Sequence, residues 1–204
     1  TLEWLRRGGP LQLFWLVASK TEKAFKLYQK LVKGTGKSPP VLPPELIKRG
    51  PKTWRSSDLS IELVDGSIFD LKFFAGDPGA EGLKSDDIVA ALVDEAAHLP
   101  GPDSLIALEG RCLDQRGRLY FATTPRPASF LMGKVIGPAM DFERLPPDDP
   151  RRKSGDHEGA GWCFVEMPLV ENPWLNRAEV EAEIRRKDAA DPSVMRDFFG
   201  KWVS

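Results

Sequence analysis

The sequence predicts an α/β fold: a mainly parallel sheet flanked by helices. Two observations carry this. Residues 13–18 (LFWLVA) and 88–93 (IVAALV) are unbroken apolar runs of strand length, the pattern of strands buried on both faces. Each run is followed by a short polar turn and then by apolar residues at helical spacing, the order of a strand–helix crossover. Composition agrees, since 204 residues with 41% hydrophobic and 29% charged side chains can enclose a large core and are too apolar for wholesale disorder. The net charge of −1 argues against a protein that coats nucleic acid by bulk charge, but leaves room for a local basic face. No apolar run reaches the length of a membrane span, and no signal peptide opens the sequence. Cys112 and Cys163 form neither a disulfide framework nor a zinc spacing, which fits a reducing compartment.

The elements follow in order. Residues 1–7 (TLEWLRR) read as the last turns of a helix stopped by Gly8-Gly9-Pro10, so the sequence is expected to be an internal piece of a longer protein. After the first strand, Ala24, Phe25, Leu27, Tyr28, Leu31 and Val32 put an apolar stripe on a helix over 22–33. The proline-rich stretch 34–51 is loop, with one turn at 45–48. Alternation in 59–64 and 68–74 around Asp65-Gly66 predicts a β-hairpin. Residues 76–87 are Gly- and Asp-rich loop, 102–112 a helix, and 118–123 (RLYFAT) a third central strand. A helix is expected over 127–137, and a polar, mobile linker over 145–161. A strand over 162–167, a helix over 175–187 capped by Asn172 or Asn176, and a short helix over 192–202 complete the chain. The domain organisation expected is a core over 1–144, the linker 145–161, and a closing segment over 162–204.

The strand 88–93 ends directly in Asp94-Glu95. An apolar strand ending in two acids is what a P-loop NTPase needs: one acid serves the magnesium of the nucleotide, the other orients the attacking water. The same pattern also suits a buried strand running into a helix N-terminus, where acids are favoured by the macrodipole. The next strand ends in Thr123-Thr124-Pro125, and motor ATPases place a phosphate-sensing polar residue on the strand beside the acid-bearing one. A strand simply terminated by proline reads the same way. Residues 34–38 (GTGKS) end like a phosphate loop, but they lack its first glycine, follow a helix instead of a strand, and meet Pro39-Pro40 where a helix should open. They are rejected as the phosphate cradle. Asp156-His157-Glu158 carries ligand-type side chains on a polar segment, with a solvated loop as the favoured reading, and His98 follows the acid pair closely. Arg151-Arg152-Lys153 is the candidate DNA contact, because nothing nearby offers a core to pack against.

Taken together, these segments resemble the ATPase domain of the large terminase subunit of tailed bacteriophages. The likeness rests on residues 14–33, on Leu92-Val93-Asp94-Glu95-Ala96-Ala97, on 117–125 (GRLYFATTP), and on 169–204 with Glu171-Asn172-Pro173 and Phe198-Phe199-Gly200-Lys201-Trp202. The resemblance implies a P-loop NTPase fold of the ASCE/RecA-like kind, with Asp94 at the magnesium site, Glu95 as catalytic carboxylate, and Thr123 and Thr124 coupling hydrolysis to movement. It implies ATP and Mg²⁺ as cofactors, and double-stranded DNA, the portal protein and the small terminase subunit as partners. It further implies a homo-oligomeric ring, working in the host cytoplasm and transiently on the procapsid. Two departures stand out. No Walker A loop lies within the sequence, so the resemblance implies one a short way upstream of Thr1, and Glu81-Gly82 stands where many relatives carry Arg-Gly. Arg55, Arg116 and Arg126 remain as alternatives for an arginine finger. The 204 residues alone are therefore expected to show weak or no ATPase activity. Two other readings stay open: a superfamily-two helicase-like ATPase, and a non-catalytic DNA-binding or assembly module that has lost its phosphate loop.

Overall fold

The computed structural model describes residues 12–36, 38–48, 60–74, 83, 86–124, 126, 129–171, 175–187 and 191–199. The expected features at 1–7, Arg55, Glu81-Gly82, Asn172-Pro173 and 200–202 lie outside these residues. The chain forms two compact units, Thr1–Ala122 and Thr123–Ser204.

The first unit is built on a five-stranded sheet in the order β2-β3-β1-β4-β5. Its strands are β1 (Leu13–Ala18), β2 (Ser60–Glu62), β3 (Ile68–Phe73), β4 (Ala90–Asp94) and β5 (Arg118–Ala122). β1 pairs in parallel with both β3 and β4, β4 pairs in parallel with β5, and only β2 runs antiparallel. The architecture is therefore the expected mainly parallel sheet. In β1, Trp15, Val17 and Ala18 are at most 1% exposed, as the continuous apolar run requires of a strand covered on both faces.

Register sorts the side chains. Phe14 and Leu16 of β1 lie level with Phe69 and Leu71 of β3 and with Ala90 and Leu92 of β4, so these residues share one face. Helix α1 (Thr21–Val32) packs there through Ala24, Tyr28 and Val32, with Phe14 and Phe69 stacked at 4.8 Å between ring centroids. Trp15, Val17, Ala91 and Val93 fill the opposite face. Helix α2 (Pro102–Leu113) links β4 to β5 and buries Leu105, Leu108 and Cys112 at helical spacing. The β1–α1–β3 and β4–α2–β5 crossovers move in opposite directions along the sheet, and right-handed connections then place α1 and α2 on opposite faces.

The hairpin between β2 and β3 forms at Asp65-Gly66 as expected. Gly66 supplies the left-handed turn at φ 86°, and Asp65 Oδ1 accepts the Ser67 amide at 2.8 Å. Among the described residues β5 is the last strand on its side of the sheet, and its Tyr120 is 48% exposed. With α1 seated over β1 and β3, the α1-side face of β4 and β5 opens into an apolar cleft of about 390 Å³ lined by Leu16, Leu31, Leu92 and Tyr120.

In the second unit, a helical stretch begins at residue 130, widens into a π-turn at Met132–Ile136, and continues as α3 (Gly137–Arg144). The helix expected to end at 137 therefore runs on through Pro138. The widened turn lets the Gly137 amide reach back to the Met132 carbonyl, giving the proline ring room that a regular helix denies it. Residues 145–161 are not a bare linker. They contain helix α4 (Pro150–Ser154), capped by Asp149, whose carboxylate accepts the Arg151 amide at 2.9 Å. This segment is tied to α3: a Cβ on Gly159 would meet the Pro138 carbonyl oxygen at 1.9 Å, so the two backbones touch where only glycine fits. The boundary between the two compact units falls after Ala122. Residues 162–168 pair with no strand among the described residues, and Val165 and Met167 are left exposed. Alternation alone does not make a strand without a sheet edge to join. Helix α5 (Arg177–Arg185) is capped by Asn176, and α6 (Pro192–Phe199) follows.

The two sides of α2 give a direct test. Leu108→Ala, at a fully buried site, is expected to cost about 2–5 kcal/mol, whereas Ile106→Ala, at a site 63% exposed, should stay within about 0.5 kcal/mol. Urea midpoints at constant m-value measure both.

Candidate functional site

β1 and β4 are neighbours, yet the chain leaves them in opposite directions, toward β3 and β5 respectively. In open parallel sheets such a reversal marks where ligands bind, beyond the C-terminal ends of the two strands. The residues placed there are Ser19, directly after β1; Lys23, in the first turn of α1; and Asp94 and Glu95, at the end of β4.

Asp94 is the last residue of β4, half-buried and level with Ala122 of β5. Glu95 leaves the strand in the left-handed region, at φ 53° and ψ 45°. A non-glycine residue there costs about 1–2 kcal/mol. The turn that follows, Ala96–His98, is closed by the His98 amide donating to the Glu95 carbonyl at 2.8 Å. This backbone turns Glu95 off the alternation of the strand and toward the start of α1. Its carboxylate Oε2 accepts from the Lys23 ammonium and from the Ser19 hydroxyl, the latter at 3.4 Å. The Lys23 hydrogen bond holds the Glu95 carboxyl below its ordinary range; desolvation opposes this in part, and the charges of Lys23 and His98 reinforce it. The result is an ionised acceptor with one oxygen engaged.

Ser19 and Lys23 were not singled out from the sequence, although one signal was there. Lys20 and Lys23 stand at the N-terminal end of α1, where the helix dipole disfavours cations, so a carboxylate partner from elsewhere in the fold was called for.

The other sequence candidates are placed as follows. Thr123 and Thr124 open the second unit, and the Thr123 hydroxyl donates to the Thr124 carbonyl at 3.1 Å. The Gly34–Ser38 loop closes on itself. Thr35 and Ser38 exchange backbone hydrogen bonds at 2.8 and 3.2 Å, and a Cβ on Gly34 would meet the Ser38 carbonyl at 2.4 Å, so these amides do not face a phosphate. Arg116 precedes β5 at the N-terminal edge of the sheet, opposite the edge that carries Asp94. Arg126 is exposed in the second unit. Arg151 is held by Asp149 at 3.0 Å, and Arg152 donates to the Glu143 and Leu145 carbonyls at 3.2 and 2.7 Å, capping α3. Of the basic triplet, then, two guanidinium groups serve the fold of the second unit, and Lys153 extends from the same short helix. His157 accepts the Gly159 amide at 3.0 Å and lies against the Phe142 ring; no group of three or more metal-ligating side chains occurs among the described residues.

No family model matches the chain, and no curated protein matches it. Solved structures do. The large terminase of a thermophilic bacteriophage superposes with a TM-score of 0.62 at 13% identity, covering 99% of this chain and 43% of that one. The same protein in complex with ADP gives 0.59 at 16% identity, with coverage of 99% and 43%. The large terminase ATPase domain of Thermus phage P74-26 gives 0.59 at 16% identity, with coverage of 97% and 79%. The fold is therefore that of phage large terminase ATPase domains, a P-loop fold, and the chain spans less than half the length of the thermophilic phage protein.

The lowered pKa of Glu95 sets the sign of a pH dependence. Its pair with Lys23 stabilises the fold fully above the ordinary glutamate pKa, and that contribution is lost as pH falls through the lower folded-state value. The stability gap between the native chain and Glu95→Gln is expected to be small but present at neutral pH and to close in acid. Paired urea titrations across that range measure it.

Proposed function

We propose that this chain is the ATP-hydrolysing core of a large terminase, a motor that drives double-stranded DNA into a viral procapsid. The observation that carries the reading is the Asp94-Glu95 pair at the C-terminal end of β4, at the reversal point of a sheet shared with large terminase ATPase domains. The thermophilic phage terminase with that fold was crystallised in complex with ADP, which supports a nucleotide as the ligand in this reading.

The donor set suits Mg²⁺. Asp94, at the end of β4, offers a hard carboxylate oxygen of the kind that binds this ion. ATP with Mg²⁺ supplies the phosphoryl group and offsets its charge. The work of this chain is positioning: Asp94 would hold the ion, and the Glu95 carboxylate would accept a hydrogen bond from the attacking water and fix its line of approach. Thr123 and Thr124, which directly follow β5, report the state of the phosphates to the DNA-gripping parts. Portal protein and small terminase subunit are the partners of this reading, a homo-oligomeric ring its working state, and the cytoplasm of the infected host its location. No described helix is long and apolar enough to cross a membrane. Basic side chains such as Lys153 are the local means of contacting the DNA backbone on a chain of net charge −1.

The test uses the complete gene product. DNA-dependent ATP hydrolysis is expected, and Glu95→Gln should lower kcat by about 10²–10⁴-fold with nucleotide binding retained. Hydrolysis indifferent to Glu95→Gln would place the chemistry elsewhere. Loss of ATP binding altogether would favour a non-catalytic module.

A further inference from the structure

We propose that Lys23 is a positioning residue for Glu95: together with Ser19 it pins carboxylate Oε2 at the end of β4 and leaves Oε1 free to engage the attacking water. The proposal rests on the ATPase reading of this edge. Its geometric basis is independent of any nucleotide. Both partners of Oε2 come from one short junction: Ser19 follows the last residue of β1, and Lys23 lies in the first turn of α1. Both side-chain hydrogen bonds of Glu95 among the described residues fall on Oε2, and none on Oε1. The carboxylate is thus fixed through one oxygen and available through the other.

Two further features fit positioning and not simple structural bracing. The side chains of Lys23 and Glu95 are 39% and 36% exposed, and ion pairs so open to water contribute little to folding. Glu95 also sits in the left-handed region, which swings its side chain off the strand alternation and over to the β1–α1 junction. Among the described residues, the charged groups acting on it are Lys23 from α1 and His98 from the following turn, with Asp94 its neighbour in the chain. Lys23 is the one that touches the carboxylate.

In the complete gene product, Lys23→Met is expected to lower kcat for ATP hydrolysis by about 10- to 100-fold while KM for ATP stays nearly constant, because misplacing a reacting group costs rate and not binding. Lys23→Arg, which keeps the charge, should recover most of that loss. In a Glu95→Gln background, Lys23→Met should add no further loss, since the lysine acts only through the carboxylate. Ser19→Ala should show a smaller loss with the same split, and serves if Lys23→Met fails to fold. A second readout needs no nucleotide: in the complete gene product the Lys23 side chain should give an NMR signal shifted away from the other lysines, and the shift should vanish in Glu95→Gln. The proposal is overturned by a kcat unchanged or raised in Lys23→Met, by equal losses in both backgrounds, or by a Lys23 signal indifferent to Glu95. If that signal depends on Glu95 but the complete protein hydrolyses no ATP, the ATPase reading fails and the pair is structural.

Discussion

The first unit depends on the pairing of β1 with two parallel neighbours, β3 on one side and β4 on the other. That pairing buries a run of apolar side chains on both faces of β1, which obliges helices to cover both faces of the sheet. It also makes the chain leave β1 in one direction and β4 in the other, so the two polar strand ends stand side by side at a reversal point. Core and site are therefore set by one constraint. The apolar alternation that fills the interior stops at Ala18 and Val93, and the next residues at both ends are polar.

At that edge the geometry is more specific than a row of acids. β4 delivers Asp94 in strand conformation and Glu95 in left-handed conformation, so consecutive carboxylates face different surroundings. Asp94 stays in line with the strand, while Glu95 is captured by the start of α1. The Lys23 ammonium offsets the cost of holding a carboxylate partly out of water, and in return Glu95 relieves a cation placed at the unfavourable end of a helix. Each group answers a local electrostatic problem of the other, which is why Lys23 was not read from its own position in the sequence.

The second unit shows where local pattern is a poor guide. Residues 145–161 are rich in charge, proline and glycine, the composition of a linker, yet Asp149 caps a helix there, Arg152 satisfies carbonyls at the end of α3, and Gly159 allows close backbone contact with Pro138. Polar composition measured contact with water but not the hydrogen bonds that polar side chains make with the backbone. The reverse happened at 162–168, where apolar alternation was present but no strand was available to pair with among the described residues. A strand is a property of two segments, and one segment cannot specify it.

Local sequence was enough to specify the parallel α/β class, the extents of β1 and α1, the hairpin at Asp65-Gly66, and the acid pair at the end of β4. These are legible because they follow from short-range periodicity and turn chemistry, which involve residues only a few positions apart. Two things emerged only from the folded chain: the strand order, and the meeting of Ser19, Lys23 and Glu95 across more than seventy residues of sequence. The reason is physical. Neighbouring strands exchange hydrogen bonds whatever their side chains, so side-chain pattern constrains their faces more tightly than their order. The site lies at the reversal in that order.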